Sequence, residues 1–398
     1  MFDKLLPLAT TTWDDSEIQA AIRVIQSGNL TMGSHVEAFE KAFAEYFNTK
    51  YAVMVNSGSS ANLLAISALL HVSEKPLKPG DEVIVPSLSW PTTFYPVNQC
   101  GLKLVFVDID LSTLNISIEE IEKAITPQVK AIFVPNILGN PSNLPMIQQI
   151  CDKHQLYLIE DNCESMGATL NNRSTGTYGI MGTFSTYFSH HISTIEGGVV
   201  VTDDEELYHI MLSMRSHGWT RPLPKKNKLI IKNGDSFYES FRFILPGYNI
   251  RPTEISAAIG IEQLKKLNEI IQGRQKNGRV FLNYFSENES IITQKEIGQS
   301  AWFGFSLIFA SQNIRDRVAT ILSLNGVDVR PIVAGCILEQ EVISHLNYRV
   351  VGEHGNAKKA HYHGLFIGNH HYDLQEALVE IVSIVKIYFE PVTNLATH

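Results

Sequence analysis

The chain has 398 residues, of which 44% are hydrophobic and 18% charged, and its formal net charge is −9 at pH 7. This length predicts two domains, and the composition is that of an ordinary globular protein. The acidic balance argues against a nucleic-acid partner. The N-terminal segment has no apolar stretch of signal-peptide length, and no apolar run is long enough to span a bilayer, so we expect a cytoplasmic protein.

The number and spacing of the cysteines argue against disulfide bonds and against a metal site. The four cysteines are spread along the chain, at positions 100, 151, 163 and 336. A chain this long with so few cysteines has no disulfide framework. No pair shows the C-x-x-C spacing of zinc or thioredoxin-like sites, so we expect no metal.

Apolar runs of strand length alternate with segments of helical spacing in the first half of the chain. The spacing predicts helices over residues 18–25, 36–47, 63–70 and 118–124, and strands over residues 51–55, 82–85, 104–107, 131–134 and 156–159. Repeated strand–helix units with such apolar strands indicate a parallel sheet covered on both faces. The sequence therefore predicts an α/β fold.

The pattern changes toward the C-terminus. A helix predicted over residues 253–267 is followed by a strand over 302–309, a helix over 315–324 and a second strand over 327–330. We therefore divide the chain into a large domain, residues 1–274, and a smaller C-terminal domain, residues 275–398.

Three features lie at or beyond the ends of predicted strands, where ligands bind to parallel sheets. Residues 57–60, with Gly58 and Ser59, precede a helix and suit an anion site, although an N-cap serine cluster explains them equally well. Trp90 is a candidate aromatic platform or a core residue. Asp161 is a strand-end carboxylate, or else a helix cap. Together, a phosphate site, a platform and a carboxylate suit the phosphorylated pyridine ring of pyridoxal phosphate.

A predicted hairpin over residues 183–202 carries two adjacent histidines, His190 and His191. Paired histidines in polar turns are more often structural than catalytic. The surrounding sequence changes that expectation, because no lysine occurs between Lys153 and Lys225.

Residues 56–61, 159–161, 184–185, 196–198 and 247–260 resemble the motifs of the sugar-nucleotide aminotransferase family. The resemblance spans nearly the whole chain, and the last block is the most specific. It implies the aspartate aminotransferase fold (fold type I), with a large, mostly parallel sheet domain and a smaller α+β domain. It also implies that Ser185 binds the cofactor phosphate and that Asn249 reaches the active site of a partner subunit, in a homodimer with shared sites.

Two positions depart from the family pattern. Glu164 stands where the family has Gln or His, facing the cofactor's phenolic oxygen or the substrate. His190 stands where the family has its cofactor-linking lysine, six residues before Glu196. Without that amine the cofactor, pyridoxal or pyridoxamine phosphate, is held non-covalently. An imidazole still moves protons near neutral pH, so we assign His190 as general base and His191 to structure.

A histidine at this position is characteristic of the family's 3-dehydratase branch, which removes the carbon-3 hydroxyl of a nucleotide-linked 4-keto-6-deoxy sugar. One kind of 3-dehydratase uses an iron–sulfur cluster, and the cysteines here lack the spacing for it. The resemblance therefore implies GDP-4-keto-6-deoxy-D-mannose as substrate, on the route to colitose, with glutamate as amino donor. It makes His217 and Arg221 candidates for the substrate pocket and Arg330 a candidate for a carboxylate or phosphate contact.

Three other functions remain open from the sequence. The chain could be a 3-dehydratase of another nucleotide sugar, since the resemblance alone gives the nucleotide. An aminotransferase would need a lysine from elsewhere, which the gap between Lys153 and Lys225 disfavours. A non-enzymatic sugar-nucleotide binder is disfavoured because the phosphate site, Asp161 and Asn249 are all retained.

Overall fold

The computed structural model describes residues 4–286, 288 and 290–386. The α-helices are α1 (Asp15–Ser27), α2 (Ser34–Phe47), α3 (Gly58–Ala68), α4 (Pro91–Gln99), α5 (Ile118–Ala124), α6 (Leu144–His154), α7 (Glu205–Met214), α8 (Ser236–Glu239), α9 (Glu254–Phe285), α10 (Gln312–Leu324), α11 (Gly355–His363) and α12 (Gln375–Lys386). The described residues also form three short 3₁₀ helices, at Ile137–Gly139, Ile337–Glu339 and Glu341–His345.

In the part of the chain that the structure describes, the strands form three sheets. They are β1 (Tyr51–Val55), β2 (Glu82–Pro86), β3 (Lys103–Val107), β4 (Val129–Pro135), β5 (Tyr157–Asp161), β6 (Thr169–Leu170), β7 (Arg173–Ser174), β8 (Met181–Ser185), β9 (Gly198–Thr202), β10 (Ile291–Thr293), β11 (Gly304–Phe309), β12 (Val329–Arg330), β13 (Tyr348–Val350) and β14 (Gly364–Gly368).

An eight-stranded sheet is the centre of the molecule, in the order β1-β9-β8-β5-β4-β2-β3-β13. Strands β8, β5, β4, β2, β3 and β13 pair in parallel, whereas β9 runs antiparallel between β1 and β8. Alternate residues enter different cores: Leu104 and Phe106 of β3 face one, Val105 and Val107 the other. Both faces are therefore buried, as the apolar strands predicted.

A four-stranded antiparallel sheet, β10-β11-β14-β12, forms a second layer near the C-terminus. Its inner face packs with α10, α12 and the end of α9 around Phe305 and Phe281. The division of the chain at residues 274/275 stays a prediction. That position lies inside α9, and β13, from the C-terminal part, pairs with β3 of the large sheet.

Helix α9 is longer than predicted, with 32 residues. It continues through Gly273 and Gly278, where a side chain would clash: an added Cβ would lie 2.0 Å from the His371 carbonyl oxygen and 2.6 Å from the Trp302 ring. The glycines therefore permit close packing rather than ending the helix. Within the described residues, no helix combines the length and apolarity needed to cross a membrane.

Candidate active site

A cavity of about 430 Å³ opens at the carboxyl ends of β1, β2, β4, β5 and β8. Parallel strands bring these ends to one edge of the sheet, which is where ligands bind in such folds. Most of the predicted site residues line this active-site cavity: Gly58, Ser59, Trp90, Asp161, Glu164, Ser185, His190 and Arg330.

The loop after β1 combines both functions that its sequence suggested. Ser57 caps α3, because its hydroxyl oxygen accepts a hydrogen bond from the Ser60 backbone N–H at 3.1 Å. Gly58 and Ser59 face the cavity at the helix N-terminus, a natural anion site. A Cβ on Gly58 would lie 2.6 Å from the Ser185 Cβ, so only glycine allows β8 to approach so closely.

Asp161 ends β5 and is buried, but its carboxylate has several donors. Oδ2 accepts hydrogen bonds from Asn62 Nδ2 and Thr93 Oγ1, both at 2.8 Å, and Oδ1 accepts one from the Cys163 N–H at 3.2 Å. Thr183 Oγ1 in turn donates to Asn62 Oδ1 at 2.5 Å. Charge-assisted bonds of this kind fix the direction of an ionised carboxylate toward the cavity.

His190 lies in the turn between β8 and β9, where its backbone N–H donates to the Tyr187 carbonyl at 2.9 Å. Its ring packs against Tyr187 and Phe303, with centroid separations of 5.8 and 5.1 Å. Burial, with the positive charges of Arg274 and Arg330, lowers the pKa of His190 to about 3. The imidazole is therefore neutral at physiological pH, which is the form from which a general base acts.

His191, beside it, is fully buried and has a structural partner. Its Nε2 bonds the carbonyl oxygen of Ala301 at 3.1 Å. Because a carbonyl only accepts, Nε2 carries the proton. Burial and the Arg274 charge hold the pKa of His191 well below its usual value. These contacts agree with the structural role expected for it.

Glu164 and Arg330 enter the cavity from opposite parts of the chain. The Glu164 Oε2 accepts a hydrogen bond from the Leu138 N–H at 3.0 Å. Burial, reinforced by the Asp161 charge, raises the pKa of Glu164 to about 7, although the Leu138 bond and Arg330 oppose the shift. Near neutral pH, Glu164 is thus a mixture of its protonated and ionised forms, whereas a Gln at this position would have no such proton to gain or lose.

These features fit pyridoxal phosphate. The loop at Gly58 leaves room beside Ser185 for a phosphate, and the buried Asp161 carboxylate faces the cavity with its orientation fixed. The neutral imidazole of His190 lines the same cavity. Ser59 and Ser185 would hold the phosphate, and Asp161 the pyridine nitrogen.

Three predicted residues lie away from the active-site cavity. Arg221 and Asn249 line a second cavity of about 670 Å³, together with Trp219 and Arg251. His217 is exposed in the neighbouring loop with a φ of 62°. A single subunit therefore does not bring these three side chains to His190, and their roles stay predictions.

Some residues that the sequence did not indicate complete the site. Asn62 and Thr93 orient Asp161, and Phe303 packs on His190. Asn62 had a signal, because it lies one helical turn after Gly58 and so shares its face of α3. Phe303 had none, since it lies just before β11, more than a hundred residues from the histidine.

The mostly parallel sheet, the second antiparallel sheet and the cavity between them define the pyridoxal-phosphate-dependent aminotransferase fold. The predicted fold class is thereby confirmed. The sequence profile of the DegT/DnrJ/EryC1/StrS aminotransferase family matches residues 11–386, and the chain belongs to that family.

Individual relatives and solved structures show which members of the family the chain is similar to. The chain is 51% identical over 384 residues to the GDP-4-keto-6-deoxy-D-mannose 3-dehydratase of Yersinia pseudotuberculosis, covering 96% of this chain and 98% of that one. It matches a crystal structure of GDP-4-keto-6-deoxymannose-3-dehydratase with a trapped PLP–glutamate geminal diamine at a TM-score of 0.94 and 50% identity, over 96% of this chain and 100% of that one. The E. coli enzyme with bound hydrated PLP gives 0.93 and 50%, over 96% and 99%.

Proposed function

We propose that the protein is a pyridoxal phosphate- and glutamate-dependent 3-dehydratase. It removes the carbon-3 hydroxyl of GDP-4-keto-6-deoxy-D-mannose, gives the 4-keto-3,6-dideoxy sugar, and releases ammonia and 2-oxoglutarate. One observation carries the proposal: the neutral imidazole of His190 lines the cavity together with Asp161 and Ser185. The family resemblance implies that this position of the sequence corresponds to the cofactor-linking lysine of the aminotransferases. The 51% identity to a relative with this activity supports it.

The bound cofactor supplies an electron sink for a carbanion, and the chain supplies position and proton transfer. The loop at Gly58 and the hydroxyls of Ser59 and Ser185 bind the phosphate. Asp161, held by Asn62 and Thr93, keeps the pyridine nitrogen protonated.

With the cofactor and sugar bound, His190 would take a proton from the cofactor's methylene carbon and pass a proton to the carbon-3 hydroxyl, which would leave as water. Glu164, partly protonated near neutral pH, faces the phenolic oxygen or the incoming substrate. Because none of the described residues that line the cavity is a lysine, the amino group would depart with the product and be lost as ammonia on hydrolysis.

We further propose a homodimer in which each Asn249 serves the partner's site, and a cytoplasmic location. Asn249 is exposed and lies on the second cavity rather than the active-site cavity of its own chain. Helix α1 also presents an apolar stripe to solvent, with Ile18, Ile22 and Ile25 exposed by 46, 38 and 58%. Such an unpaired stripe on a short helix suits a subunit interface. Sedimentation that finds an active monomer would contradict the dimer.

The first test separates the two half-reactions. Incubation with pyridoxal phosphate and glutamate should convert the absorption spectrum to that of the pyridoxamine form. A panel of nucleotide-linked 4-keto-6-deoxy sugars should then release ammonia, most efficiently with the GDP-mannose derivative. Accumulation of a stable 4-amino sugar without ammonia would instead identify an aminotransferase.

The second test addresses His190. Borohydride should not fix pyridoxal phosphate covalently to the native protein, because no amine is in place. The His190→Asn variant should lose dehydration by roughly 10²–10⁴-fold, the contribution of a positioned acid–base group. Its cofactor affinity should persist. A covalent adduct on a lysine of the native protein, or native turnover in the variant, would refute the assignment.

A further inference from the structure

The orientation of His190 does not rest on a conventional hydrogen bond. The Nδ1 atom of His190 is buried, and among the described residues it has no hydrogen-bond partner of normal geometry. The backbone of Tyr187 is near enough to raise the pKa of His190, but this effect is smaller than that of burial. Catalytic imidazoles are usually fixed by a hydrogen bond from the second nitrogen to a carbonyl or carboxylate. Something else must fix this ring.

Two aromatic side chains contact the imidazole. Tyr187 meets it nearly perpendicularly, at 79°, but belongs to the same turn and is 44% exposed. Phe303 packs closer, at 5.1 Å between centroids, and is only 6% exposed. Phe303 also contacts the ring of His191 at 5.7 Å. The rigid contact of the pair is therefore Phe303.

The segment 301–303 is anchored through its backbone. The Ala301 N–H donates to the Gly139 carbonyl at 2.9 Å, and the Phe303 N–H donates to the Leu138 carbonyl at 3.0 Å. The three carbonyls of the segment accept bonds from the side chains of His191, Asn369 and Arg274. Arg274 is buried, and in the described part of the chain the hydrogen bonds of its guanidinium go to the carbonyls of Trp302 and Phe303. The backbone of this segment has little freedom to move.

The Phe303 ring also packs against a second aromatic ring. It lies parallel to Phe366, with 6.2 Å between centroids and 17° between planes. The guanidinium of Arg330 lies over the Phe366 ring, 4.9 Å from its centroid. The order His190, Phe303, Phe366, Arg330 connects the proposed base to a cavity arginine through ring packing.

We infer that Phe303 is a positioning residue for His190: its clamped ring, in place of a hydrogen-bonded acid, holds the imidazole toward the reacting carbon. Only the expected effect on turnover rests on the proposed function; the packing of Phe303 against His190 does not. Displacing a catalytic group by about 1 Å costs on the order of 10²-fold in rate, so loss of the ring should lower kcat without a matching change in KM.

The test compares two phenylalanines near the start of one strand. Phe303→Leu removes the ring beside His190. Phe305→Leu is the matched control, because Phe305 is also buried, with 0% exposed against 6% for Phe303, but its ring stacks on Phe281 with 4.4 Å between centroids, in a different core. We expect kcat for ammonia release to fall about 10- to 100-fold in Phe303→Leu, with KM within about twofold, and to stay near native in Phe305→Leu. Phe303→Tyr, which keeps a ring, should recover most of the loss. If Phe303→Leu does not fold, Phe303→Met takes its place.

A second readout needs neither cofactor nor substrate. In apoprotein with ¹³C-labelled histidine, the His190 ring signal is identified by its absence from His190→Asn. It should shift and broaden in Phe303→Leu and remain unchanged in Phe305→Leu. An unchanged ring signal in Phe303→Leu, or equal kinetic losses in both leucine variants, would overturn the inference. If the native protein dehydrates no sugar, the proposed function fails, and the ring signal still decides whether Phe303 holds His190.

Discussion

Replacing Glu164 with Gln should make the protein more stable above neutral pH. The pKa of this carboxyl rises from about 4.5 to about 7 on folding, chiefly through burial. Since the folded-state pKa is the higher one, the protonated carboxyl contributes stability that is fully present below pH 4.5 and is lost as the pH rises through 7. Gln stays neutral throughout and keeps an oxygen that can accept from the Leu138 N–H.

The size of the effect follows from the shift. A difference of about 2.5 pKa units corresponds to about 3 kcal/mol at 1.36 kcal/mol per unit, an upper bound because the side chain borders the open cavity. The stability of Glu164→Gln relative to the native protein should therefore increase by up to this amount between pH 4.5 and 7.5. Above pH 8 the difference should level off.

Urea unfolding of the cofactor-free protein, at fixed protein concentration and a series of pH values, measures this difference. Glu122→Gln, at an exposed position on α5, is the control and should show no such rise. A Glu164→Gln difference that is flat with pH, or that favours the native protein at high pH, would refute the argument that burial keeps this carboxyl protonated.

Three further outcomes are expected. Gly58→Ala should weaken pyridoxal phosphate binding at least about tenfold in a spectral titration, because the new Cβ would lie 2.6 Å from the Ser185 Cβ; unchanged affinity would show that the loop yields. Thr93→Val should lower the free energy of unfolding by about 1.5–3 kcal/mol, which is the contribution of a hydrogen bond to a charged group. An unchanged free energy of unfolding would mean that Asp161 does not depend on the Thr93 hydroxyl. Anaerobic iron chelation should leave turnover unchanged, since the four cysteines lack the clustered spacing of an iron–sulfur site. Activity lost on chelation and restored by iron and sulfide would contradict this.

The sequence by itself determined those parts of the protein that depend on local pattern. The run Tyr51–Val55 is a strand, as the sequence predicted, and a helix follows its loop. That helix begins at Gly58, earlier than the predicted start at residue 63. Asp161 stands at the end of β5 for the same reason. Because parallel strands end at one edge of the sheet, these local predictions were enough to bring Gly58, Trp90 and Asp161 to one cavity. The missing lysine was visible from the sequence alone.

Only the tertiary structure decided how the reactive groups are held and charged. The shifted pKa values of His190 and Glu164 arise chiefly from burial, which no local pattern measures. The contact of Phe303 with His190 joins segments that lie far apart in the chain. Helix α9 continues through Gly273 and Gly278 because other backbone and a tryptophan ring pack against them. Strand periodicity is a property of a few neighbouring residues, whereas desolvation and ring packing depend on which distant segments fold against one another.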